Sequence, residues 1–118
     1  MIGQFIAVLF LARDLAHREH LRTQSYAQHM ALGDFYKEII ELVDSLAEGY
    51  QGRRGIIDIP LLDNEFPGEI IESMEAQLAW LEKNRDAAVG KDDRALQNIV
   101  DEIVGLYLST LYKLKNLS

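Results

Sequence analysis

The strongest constraint in this chain is a spacing: apolar residues return every three or four positions along nearly its whole length. Only two prolines interrupt the pattern, which reads as long amphipathic helices with no stretch of strand-like alternation. The first helix runs from about Ile2 to Leu21, with Ile2, Phe5, Ile6, Leu9, Ala12, Leu15 and Ala16 inward. Its first half, FIAVLFLA, is apolar almost all round, which predicts burial on more than one side. LRTQS breaks it, and Thr23 or Ser25 is suited to cap a second helix. That helix is expected over about 24–51, with Tyr26, Met30, Leu32, Phe35, Tyr36, Ile39, Ile40, Val43, Leu46, Ala47 and Tyr50 as a broad apolar face. Gly33 lies within this face. Glycine there weakens a helix by ~1 kcal/mol relative to alanine and marks a close approach.

QGRRG, residues 51–55, ends the second helix in the usual glycine manner. IIDIPLLDNEF is then a connection long enough to cross a bundle end to end. Pro67 is expected to open a third helix in its first turn, running to about Ala88 with Ile70, Ile71, Met74, Leu78 and Leu81 inward. VGKDD forms a short turn with Asp92 or Asp93 as cap, and a fourth helix follows from Arg94 to Leu117. Two antiparallel helical hairpins joined by one long crossover make an all-α, single-domain bundle of the ferritin-like kind over residues 1–118.

Composition narrows the chemistry. The absence of cysteine removes disulfides, thiolate nucleophiles, iron–sulfur clusters and thiolate zinc sites, and fits a reducing compartment. A net charge of −7 argues against broad, sequence-independent DNA binding, which needs clustered Lys and Arg. DNA condensation would need a basic patch created by assembly. The run from Phe5 to Ala12 is too short to span a bilayer and lacks a basic leader before it. A cytoplasmic protein is expected. No phosphate-binding glycine loop and no Gly-x-Ser-x-Gly elbow is present, and nothing supports a covalent nucleophile.

The polar residues of interest are His20, His29, Asp44 and Glu48. Asp44 and Glu48 lie one helical turn apart and can share an ion. His29 and Asp44 are fifteen residues apart, a rise of about 22 Å, so within one chain they cannot. Two imidazoles with two carboxylates suit Fe(II) or another first-row divalent ion. The plainer reading is a solvated helix edge for the acids and a capping or surface role for the histidines. His17, one turn before His20, is a further candidate ligand or a surface residue. Glu19 shares that end of the helix, and Asp34 qualifies only through local distortion next to Gly33. Tyr36 reads as a core tyrosine, or as a hydrogen-bond or electron partner of a ligand. Trp80 lies off the main apolar stripe of the third helix and suits an interface or an electron donor. Arg53 and Arg54, in a Gly-flanked turn, suit solvent exposure or an anion contact.

These residues carry a resemblance. A histidine, a second histidine, then Asp-x-x-x-Glu resembles the motif of the Dps family, the mini-ferritins, with His20, His29, Asp44 and Glu48 at the corresponding positions. Glu65-Phe66-Pro67 is similar to the aromatic-Pro that opens that family's third helix, and the four-helix plan covers the whole chain. The style of sequence also resembles Dps-like proteins encoded by phages. His20 to His29 is nine residues, about three shorter than in the family, and Leu21 stands where the family has tryptophan. Gly33 stands where it has a ligand aspartate, the chain is short, and a Lys-rich tail is lacking.

The resemblance implies a homo-oligomer, a dimer or a larger shell. The histidines of one chain would meet the acids of another across an antiparallel two-fold pairing of the second helix. It implies binding of iron, Fe(II), or another divalent metal, with oxidation by peroxide or oxygen as the activity, and mineral storage in a shell. A rival from another class is a non-catalytic ferritin-like scaffold, a phage structural or host-interacting protein that kept the second helix and lost a ligand.

Overall fold

A computed structural model describes residues 1–118 as four helices and no strand: α1 Ile2–Arg22, α2 Tyr26–Arg54, α3 Ile70–Val89 and α4 Arg94–Asn116. α1 packs on α2 and α3, and α4 packs on α2 and α3, so the four helices close a square around one core. That core holds Phe5, Ile6, Leu9, Leu32, Phe35, Ile39, Leu46, Met74, Leu81, Ile103 and Tyr107, each essentially without solvent contact. Phe5 through Leu9 are consecutive and all buried, as the run of apolar residues demands.

Local chemistry sets most helix ends. Ser25 caps α2, its hydroxyl accepting from Gln28 N at 3.2 Å. Gly55, with φ 96°, ends α2, and Gly90, also φ 96°, ends α3. Asp93 caps α4: one carboxylate oxygen accepts from Leu96 N at 3.2 Å and the other from Arg53 Nε at 2.8 Å. One side chain thereby ties the end of α2 to the start of α4. Asp93→Ala is expected to lower stability by about 1–2 kcal/mol, most of it the lost cap because the Arg53 side chain is half exposed. Asp93→Asn, which can still cap, should retain most of that in a thermal melt.

The connection 55–69 runs along α1. The Asp58 carbonyl and Pro60 lie against Gly3 near one end of the bundle, and Asn64 and Phe66 share a cleft with Arg18 and Arg22 at the other. Three expectations need correction. α3 begins at Ile70 rather than at Pro67, because Gly68 adopts φ 104°, a conformation no helix continues through. α2 continues to Arg54, through the QGRR stretch that was expected to end it. The expected apolar face of α2 is also too broad: Tyr26 is 77% exposed, and Met30 and Ile40 face outward.

One buried polar chain was not foreseen from the sequence. The Ser73 hydroxyl donates to the Phe66 carbonyl at 2.7 Å, Gln77 Nε2 donates to Ser73 Oγ at 3.0 Å, and the Tyr107 hydroxyl donates to Gln77 Oε1 at 2.8 Å. It links the connection, α3 and α4 inside the core. The Tyr107 ring meets Phe35 edge-on at 5.0 Å, adding α2.

Candidate functional site

His17 and His20 lie on the last turns of α1 and His29 on the first turn of α2. The three-residue turn capped by Ser25 folds them together. His20 Nδ1 lies 2.7 Å from the His29 carbonyl, and His29 Nδ1 lies 2.8 Å from the His20 carbonyl. A carbonyl only accepts, so each Nδ1 carries the proton and donates. In the neutral ring the lone pair is then on Nε2. The two rings stack with centroids 3.8 Å apart and planes 17° from parallel.

Gly33 provides the floor beneath this stack. A Cβ on residue 33 would lie 2.9 Å from His20 Cε1 and 3.1 Å from Nδ1, so the ring would have to shift. The close approach expected at this glycine is therefore that of His20. An aspartate there would compete with the ring for the same space. His17 turns away to stack on Tyr36 at 4.1 Å, and the Arg13 guanidinium lies 5.6 Å from the same tyrosine ring. Tyr36 is half-buried, stacked on a histidine and near a cation.

Asp44 and Glu48 are both exposed and farther along α2. Asp44 borders an apolar cleft of about 280 Å³ with Leu9, Phe10, Arg13, Ile40 and Leu61. No group of three or more His, Asp or Glu side chains within the chain is arranged to hold a metal ion. The four expected ligands form two separate pairs, as the helical rise requires. Asp34 is exposed on an undistorted stretch of α2, and Glu19 is held by Arg18 at 3.1 Å and Arg22 at 3.2 Å.

The stacking limits what the histidine pair can do as it stands. Imidazole binds a metal along the lone pair in its own ring plane. Two nearly parallel planes cannot both contain one ion. An ion held by both rings at once would require one of them to turn.

Elsewhere, Trp80 keeps part of its surface open to solvent. It is half-buried, with its ring 6.0 Å from that of Phe5 in the seam between α1 and α3. Arg53 pairs with Asp93, and Arg54 lies 5.3 Å from the Tyr50 ring. Folding gathers these two with Lys91 and Arg94 at one end of the bundle, interleaved with Asp92 and Asp93. Their separation along the chain hid this grouping. No helix is long and apolar enough to cross a membrane.

The model of a family of unknown function, DUF5856, matches residues 20–114, four-fifths of the chain. The chain belongs to the DUF5856 family. The DUF5856 match takes in His20, His29, Gly33, Asp44 and Glu48, and starts after His17. No curated protein and no solved structure matches the chain.

Proposed function

We propose that this DUF5856 protein is a ferritin-like, Dps-like homo-oligomer that binds Fe(II) as a substrate between copies. His20 and His29 of one copy would act with Asp44 and Glu48 of another, and oxidation by peroxide or oxygen would follow. One observation supports this most. Both histidines spend Nδ1–H on a backbone carbonyl, the outer-shell arrangement that fixes a metal-ligating imidazole with Nε2 free. The exposed acids one turn apart supply hard oxygen donors that tolerate both Fe(II) and Fe(III). When bound, iron would supply the redox chemistry. The protein's own part is to orient Nε2 and the carboxylates.

The second reading is a non-catalytic ferritin-like scaffold, of the phage structural or host-interacting kind. The stacked ring planes favour it, because the two hydrogen bonds and the stack serve as a clasp between α1 and α2.

An anaerobic Fe(II) titration followed by peroxide separates the two, with Asp44→Ala/Glu48→Ala as the comparison. Saturable binding with fast ferric formation, both lost in the variant, is the result expected of the first reading. Oxidation no faster than in buffer, with the variant indistinguishable, would leave the scaffold.

A further inference from the structure

The outer face of α4 carries a pattern unrelated to the histidines. Asp101, Gly105, Leu108, Tyr112 and Lys115 follow at steps of four, three, four and three, and all five are exposed. At about 100° per residue they form one narrow stripe along the helix. Leu108 is 55% and Tyr112 59% exposed, high for side chains of this kind on a helix that already buries Val100, Ile103, Tyr107 and Leu111 on its other side. The stripe borders an apolar cleft of about 400 Å³ between α3 and α4, rimmed by Glu75, Glu82 and Lys115. A Cβ on Gly105 would meet nothing within 4 Å, so no packing inside the chain calls for glycine in the middle of this helix.

We propose that this stripe docks a second copy of the chain, α4 against α4, antiparallel about a two-fold axis at Leu108. Read backwards from Leu108, the stripe complements itself. Leu108 meets the partner's Leu108. Gly105 meets the partner's Tyr112, whose ring covers the surface left by the missing Cβ. Asp101 meets the partner's Lys115. The two-fold axis repeats the last two contacts on the other side. A parallel pairing would set Asp101 on the partner's Asp101, so charge selects the antiparallel one. Within the chain Asp101 already accepts from Arg85 at 2.5 Å and Lys115 donates to Glu75 at 2.6 Å. Docking joins these two exposed pairs into one network. A foreign helix would need this same order reversed, and the chain itself supplies it. The surface is on α4, so the proposal stands apart from any iron chemistry on α2.

The chain has no cysteine, so Leu108→Cys introduces a single thiol at the axis. Under mild oxidation Leu108→Cys should form a disulfide-linked dimer much faster than Lys91→Cys, an exposed control in the α3–α4 turn. In sedimentation velocity over a concentration series, the unaltered chain should self-associate, and Leu108→Glu should weaken this by more than about tenfold. Asp101→Lys and Lys115→Asp should each weaken it, and the two together should restore it. These positions are exposed, and an unchanged helical melting profile would check each fold. The proposal is overturned if the unaltered chain stays monomeric, if Leu108→Glu leaves association unchanged, or if both thiols cross-link equally.

Discussion

Gln77→Ala is expected to cost about 4 kcal/mol, the largest single-residue effect in this chain outside its apolar core. The side chain is fully buried, so truncation leaves a cavity, a loss of about 2 kcal/mol or more for a residue of this length. It also strands the Tyr107 hydroxyl, which is buried and has Gln77 as its acceptor, adding about 1–3 kcal/mol. Tyr107→Phe alone should cost about 2 kcal/mol, because Gln77 Oε1 is then the stranded atom. Gln77→Leu/Tyr107→Phe removes both polar partners while keeping volume, and should return close to the starting stability. A double-mutant cycle by urea unfolding, with Gln77→Leu and Tyr107→Phe as its single changes, reads this directly. Simple additivity of the two single changes would show that the hydrogen bond is not what couples them.

The same tyrosine predicts an alkaline limit. Burial pushes the Tyr107 phenol far above its ordinary value of 10.0. Above about pH 10 the unfolded chain loses this proton and the folded chain keeps it, so the unfolded state binds fewer protons. Stability is therefore full below pH 10 and falls as pH rises past it, by up to about 1.4 kcal/mol per pH unit from this group. Tyr107→Phe should flatten that slope.

Gly33→Ala carries the second large effect, a loss of about 2 kcal/mol where helix propensity alone predicts a gain of about 1 kcal/mol. The added Cβ lies 2.9 Å from a ring held by its own hydrogen bond to the His29 carbonyl and by the stack on His29, so the ring cannot yield without disturbing both. The decisive comparison is the His20→Ala background. There the space is empty, and Gly33→Ala should become stabilising. If the substitution destabilises equally in both backgrounds, the ring is not what demands glycine. His20 lies over residue 33, and its ring fills the space into which an aspartate side chain would project.

Much of the architecture was legible in local chemistry. Period-three-and-four burial, a cap from Thr23 or Ser25 and another from Asp92 or Asp93, and the glycine end of QGRRG each depend on a few consecutive residues, which a sequence displays. The separation of His29 from Asp44 was also legible, because helical rise alone sets it.

Tertiary structure decided the rest, since it depended on residues far apart in the chain. Tyr26, Met30 and Ile40 carry the right spacing for a core, yet face outward because the other three helices cover only part of α2. Gln77 reads as a surface residue until Tyr107, thirty positions later, accounts for it. The histidines were visible as a pair nine residues apart. Their crossed hydrogen bonds, their stack and the glycine beneath exist only once the α1–α2 turn has closed.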